Sequence, residues 1–165
     1  MADWEKVIKS IDPDKVSSWY ITCLDRLSSS KYSEKDKDTI RFQMKCLDQR
    51  MNAISDSGIS LGRAEIGVMR FFGYRVGEIN GKKENFRRQV IIRVIKGDIP
   101  SFANKKYIAW WGDTCSPRRV QAVKDFLRDK IFSPQHKNHE RAIQEWQDDL
   151  EWLEKESDKI LSSCD

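Results

Sequence analysis

The sequence has few residues that break helices, and it has no long apolar run. All eight glycines lie between Gly58 and Gly112, so the two flanks of the chain lack them. No stretch approaches the roughly 18 consecutive apolar residues of a membrane span. The first residues show neither the basic segment nor the apolar segment of a secretion signal. We therefore expect a cytoplasmic protein that makes no contact with a membrane.

Cysteine and histidine are too sparse for the usual disulfide and metal patterns. The four cysteines are scattered and form no C-x-x-C pair, so their spacing predicts neither a zinc site nor a disulfide framework. Cys23 and Cys46 lie in stretches with apolar periodicity and are expected to be small core residues. The only histidines, His136 and His139, are expected to be exposed in a polar linker. The sequence thus indicates no metal and no cofactor.

Catalytic motifs are missing as well. The chain contains no phosphate-binding G-x-x-x-x-G-K-[ST], no H-E-x-x-H, no G-x-S-x-G and no dinucleotide fingerprint. Asp148, Asp149 and Glu151 are close in sequence, but we expect them on a solvated acidic helix face. The prediction is a non-catalytic protein, with a metal-dependent nuclease as the less favoured alternative.

Helical periodicity is what the chain has in abundance. Pro13 and Pro117 each follow a residue that caps helices well, and Ser33 with Asp36 resembles a helix-start signal. Further helices are predicted from Ser60, from Asn85, and over roughly 137 to 162. The predicted fold is mostly α, a bundle of about six helices with an irregular glycine-containing middle and a long C-terminal helix. We expect residues 1–60 to form an N-terminal helical part and residues 61–165 a basic helical core with the long acidic C-terminal helix, the two together making one compact unit.

Charge is distributed unevenly along the chain. The net charge is +4, but residues 61–141 carry eighteen basic and eight acidic residues, whereas residues 142–165 carry two basic and eight acidic ones. A basic surface is the expected footprint of binding to a phosphate backbone. We predict that the chain binds nucleic acid, DNA or RNA, through Arg75, Lys82, Lys83, Arg87, Arg88, Lys105, Lys106, Arg118 and Arg119. Of the neighbouring Trp110 and Trp111, at least one is expected in the core.

The last helix supports a different hypothesis. Its apolar seam contains Trp146, Leu150 and Leu153, and Trp152 widens the apolar face. A long amphipathic helix of this kind suits docking on a protein partner or on a second copy of the chain. The alternative function is therefore a protein–protein adaptor or a homo-oligomer.

From Gly73 to Leu153 the chain resembles an uncharacterised bacterial domain found in DNA-repair, mobile-element and defence settings. The resemblance is carried by Gly73-Tyr74-Arg75-Val76-Gly77, by Arg87-Arg88, by Trp111-Gly112 with Ser116 and Arg119, and by Trp146-x-x-Asp149-Leu150-x-x-Leu153. It implies a role in DNA repair or phage defence and assigns no catalytic residue.

Overall fold

A computed structural model describes residues 4–56, 67–101 and 105–164 of the chain. Helices make up 73% of the structure, and the described residues contain no strand. This confirms the predicted mostly-α helical bundle. No helix within the described ranges is long and apolar enough to cross a membrane.

Eight α-helices and one short 3-10 helix follow one another along the described residues. They are α1 Trp4–Lys9, α2 Pro13–Ser28, α3 Glu34–Asp56, α4 Val68–Phe71, α5 Glu84–Lys96, α6 Lys105–Trp110, α7 Pro117–Phe132, the 3-10 helix Pro134–His136, and α8 Glu140–Ser162.

The predicted helix starts are confirmed where the structure describes them. Ser33 and Asp36 cap α3 reciprocally: the Asp36 carboxylate accepts from the Ser33 backbone N–H at 3.1 Å, and the Ser33 hydroxyl accepts from the Asp36 N–H at 3.2 Å. At α7 the Ser116 hydroxyl accepts from the Arg119 N–H at 3.1 Å, and Pro117 occupies the first turn. These caps satisfy N–H groups that have no partner within the helix.

Two short helices, α1 and α6, were not predicted. Six residues are too few to show a helical period, so packing rather than local pattern decides their conformation. The helix predicted to start at Ser60 lies mostly outside the described residues. Its described end is α4, after which Gly73 adopts a positive φ of 93°.

The chain forms two compact units. The first comprises Met1–Ile66 together with Pro100–Lys105, and the second comprises Gly67–Ile99 together with Lys106–Asp165. In the first unit α2 packs along α3, with α1 also against α3. The Asp48 carboxylate accepts from the backbone N–H of Ser101 at 2.7 Å, which ties the later segment to α3.

In the second unit α7 and α8 form the main helix pair, and α5 packs against both. Their buried residues include Ile91 and Val94 from α5, Val123 and Leu127 from α7, and Leu153 from α8. The residues of α5 and α7 are three and four positions apart, the spacing of one helix face, which is why the periodicity predicted these helices.

The cysteines behave in two ways. Cys23 and Cys46 are buried free thiols, as predicted. Cys115 and Cys164 are joined by a disulfide with their Cα atoms 5.9 Å apart, so the expectation of no disulfide is wrong for this pair. The two partners are 49 positions apart in sequence, and only the packing of α8 beside the segment before α7 brings them together.

Candidate nucleic-acid interface

A buried charged cluster lies at the centre of the second unit. Asp149, on α8, is completely buried and accepts hydrogen bonds from the Tyr74 hydroxyl at 2.6 Å and from Arg87 Nε at 2.7 Å. Arg87 Nη2 donates to the other carboxylate oxygen at 3.3 Å. A bidentate contact of this kind is the strongest pairing that an arginine makes with a carboxylate.

Burial and charge act in opposite directions on the pKa values of this cluster. Burial lowers the pKa of Arg87, but the hydrogen bond and charge of Asp149 outweigh it and leave that pKa above its ordinary value. Burial, followed by the charge of Asp149, raises the pKa of Tyr74 far above its ordinary value. Arg87 therefore stays protonated and the phenol of Tyr74 stays neutral across the physiological pH range.

This cluster is also the anchor of an exposed loop, residues 75–83, which we call the basic loop. Arg87 Nη1 donates to the Lys82 carbonyl at 2.8 Å, and the Glu145 carboxylate accepts from the Gly77 N–H at 2.7 Å. The Lys82 N–H donates to the Arg75 carbonyl at 2.9 Å, which closes the loop on itself. Both ends of the basic loop are thus fixed by buried or half-buried side chains.

The basic loop presents the cations that the sequence predicted there. Lys82 and Lys83 are exposed and Arg75 is half-buried. Among the described residues none of these three side chains has an acidic partner within ion-pair distance. Lys82 Nζ lies 5.6 Å from the centre of the Phe86 ring, which is 43% exposed at the start of α5. The loop therefore carries three cations without an ion-pair partner in the described part of the chain and one exposed acid, Glu78, and an accessible aromatic ring lies next to it.

Arg87 and Arg119 are corrections to the predicted binding set, because neither guanidinium reaches the surface. Arg119 donates to three backbone carbonyls, those of Val94, Gly97 and Gly112, at 2.7 to 3.1 Å. Burial lowers its pKa. Arg119 thus joins the end of α5 to the turn before α7, and Arg87 holds the basic loop, so both are structural residues.

Two other predicted arginines are accessible but already engaged within the unit. Arg88 is half-buried, pairs with Glu84 one turn earlier and lies 5.2 Å from the Trp152 ring centre. Arg118 is exposed, lies 4.9 Å from the centre of the Trp110 ring and donates to the Trp110 carbonyl at 3.1 Å. Either arginine would bind a phosphate in addition to these contacts or in place of them.

The remaining predicted residues differ in position. Lys106 belongs to the second unit and Lys105 to the first, so the nine residues do not make up a single surface of one unit. Trp111 is buried, as expected for at least one of the tandem tryptophans, whereas Trp110 is 44% exposed.

The residues predicted to bind a protein partner are largely internal. Trp146 and Leu153 are buried in the second unit, and Leu150 and Trp152 are half-buried. This corrects the assignment of Trp146 and Leu153 to a docking surface, because the seam of α8 already packs on α5 and α7.

Sequence reasoning missed the cluster because it placed Asp149 on a solvated acidic face. Asp148 and Glu151 are exposed as expected, but Asp149 follows Trp146 by three residues and precedes Leu153 by four. An acid at that spacing lies on the apolar seam, and this is the signal that pointed to a buried partner.

Among the described residues, no group of three or more His, Cys, Asp or Glu side chains is arranged to hold a metal ion. His139 is exposed as expected, but His136 is half-buried with its ring centre 4.9 Å from that of Trp146.

No protein family matches the chain, and no curated protein or solved structure is significantly similar to it.

Proposed function

We propose that the chain is a non-catalytic nucleic-acid-binding accessory protein whose contact surface is the basic loop and the first turn of α5. The observation that carries the proposal is the group formed by Arg75, Lys82 and Lys83, which has no acidic partner among the described residues. The resemblance to a bacterial domain adds the setting, DNA repair or phage defence.

The local chemistry favours a phosphate backbone over other anionic partners. Lys82 and Lys83 immediately precede α5, whose first N–H groups and helix dipole attract anions, and the acid in this first turn, Glu84, is paired with Arg88. The exposed Phe86 ring lies in the first turn of that helix and supplies a face on which a base can stack. Cations followed by an exposed aromatic ring are typical of surfaces that bind nucleic acid without reading its sequence.

The buried cluster has a positioning role in this proposal. Arg87 donates to the Lys82 carbonyl, so the pair between Arg87 and Asp149 fixes the backbone that carries the two lysines. A prepositioned loop loses less conformational freedom on binding than a free one.

Fluorescence anisotropy with labelled single-stranded and duplex oligonucleotides tests the proposal. We expect binding at low salt whose affinity falls as salt rises. The double substitution Lys82→Gln/Lys83→Gln should weaken binding and reduce the slope of log K against log salt by about 1.4 to 1.8, since each lost phosphate contact contributes about 0.7 to 0.9.

The matched control is Lys137→Gln/Lys155→Gln, which removes the same charge from two exposed lysines elsewhere in the second unit. Equal losses in the two double variants would mean that net charge alone drives binding and that the basic loop is not the site. No binding at low salt to any of the oligonucleotides would refute the proposal altogether.

Self-association is the second candidate, and the exposed acidic side of α8 favours it. Glu151, Glu154 and Asp158 are exposed on that helix, and they complement the charge of the basic loop on another copy. Light scattering at low and high salt tests this: a salt-sensitive dimer supports it, and a monomer at every protein concentration contradicts it.

A further inference from the structure

A cavity of about 300 Å³ opens in the first unit. It lies where α1, α2 and α3 come together, and its lining on α2 comes from positions 19, 22, 23 and 26. These positions are spaced by three and four residues, so they form one side of the helix. Pockets that bind small molecules have volumes of about 300 Å³ and above.

The walls of the cavity are mostly apolar. Ile8 and Leu47 are buried and close it on two sides. Trp19 also lines it and is 43% exposed, so a large aromatic surface borders the opening. An apolar group that enters the cavity would cover surface that is now in contact with water, which is favourable.

The polar part of the lining offers donors. The Thr22 hydroxyl donates to the Ser18 carbonyl at 2.9 Å, and the Cys23 thiol lies 3.9 Å from Gln43 Oε1. This leaves the Gln43 amide nitrogen and the Arg26 guanidinium, neither of which has a side-chain partner among the described residues. Both are donors, and one carries a positive charge.

The neighbouring thiol does not oppose an anion at this position. Burial raises the pKa of Cys23, although the charge of Arg26 acts the other way. Cys23 therefore stays neutral at physiological pH and contributes a small apolar wall.

We propose that this cavity binds a small amphiphilic carboxylate, with its apolar body between Ile8, Trp19 and Leu47 and its carboxylate on Arg26 and Gln43. A neutral apolar molecule would leave both donors unused, and a cationic one would be repelled by Arg26. The proposal is independent of nucleic-acid binding, because every residue that it uses lies in the first unit.

Titration of the full ¹⁵N-labelled chain with decanoate, followed by NMR, tests the proposal. We expect saturable shifts concentrated at the cavity-lining residues of α2 and α3. 1-Decanol has the same chain length without the charge and should bind at least tenfold more weakly. Arg26→Gln should lower the decanoate affinity about tenfold, to near that of 1-decanol.

Arg41→Gln is the matched control, since Arg41 is an exposed arginine on α3 that does not line the cavity. It should bind decanoate as the wild type does. Three results would overturn the proposal: no saturable binding of decanoate, equal affinity for decanoate and 1-decanol in the wild type, or equal losses in the Arg26 and Arg41 variants. The comparison of decanoate with 1-decanol needs no variant, so it tests the proposal even if a substitution disturbs folding.

Discussion

Replacement of Asp149 by Asn provides the strongest test of how the second unit is held together. The substitution keeps the size of the side chain but removes its charge, and it turns one of two acceptor oxygens into a donor. Arg87 then remains at 3% exposure with its Nε 2.7 Å from the altered group. The nearest other carboxylate is that of Glu145, 3.6 Å from Arg87 Nη1.

We expect Asp149→Asn to lower the free energy of unfolding of this unit by about 3 to 5 kcal/mol, the usual cost of leaving one member of a buried ion pair without its partner. The lower end applies if Glu145 compensates in part. The Tyr74 hydroxyl adds to the cost, since its hydrogen bond of 2.6 Å loses a charged acceptor.

Urea unfolding followed by circular dichroism and tryptophan fluorescence measures this change, and Trp146 reports from the same helix, one turn before Asp149. The matched control is Asp148→Asn. Asp148 is exposed, and its one side-chain hydrogen bond within the described part of the chain is with Gln144 on its own helix, so its substitution should change stability by no more than about 0.5 kcal/mol.

A double variant separates the ion pair from other effects of the substitution. Arg87→Met/Asp149→Asn removes the unpaired charge, so it should be more stable than Asp149→Asn alone. Hydrogen exchange at residues 75–83 should speed up in Asp149→Asn, because the anchor of the basic loop is weakened. A cost below about 1 kcal/mol for Asp149→Asn would refute the assignment of a structural role to this pair.

Two further predictions concern pH and redox state. Because the pKa of Tyr74 is raised in the folded state, its contribution to stability is present below about pH 10 and is lost as pH rises further. Tyr74→Phe should therefore make the decline in unfolding free energy between pH 9 and 11 shallower by up to about 1.4 kcal/mol per pH unit. An unchanged slope would contradict this. The disulfide between Cys115 and Cys164 closes a loop over 49 positions, so Cys115→Ser/Cys164→Ser should cost about 2 to 4 kcal/mol in urea unfolding. A reductant should lower the urea midpoint of the wild type and leave that of the variant unchanged. A wild-type midpoint that is the same with and without the reductant would contradict the disulfide.

Local signals in the sequence predicted the helices because each signal acts within a few residues. Ser116-Pro117 caps and starts α7 whatever surrounds it, and the apolar stripe of α8 shows in its own spacing. The disulfide and the partners of Asp149 depend on residues 49 to 75 positions away in the sequence. Composition and spacing carry no information about such pairs. The basic segment was visible from charge alone, but which of its arginines are buried depends on where α5 packs.

The residues that suggested the resemblance to a bacterial domain include several that are internal. Tyr74, Arg87, Arg119 and Asp149 are each buried and bonded within the second unit. Residues of this kind specify how the unit is built and say little about what it binds. Lys82 and Lys83, by contrast, are exposed. The proposed binding function is therefore tested by changes of charge in the basic loop, because these changes leave the buried cluster intact.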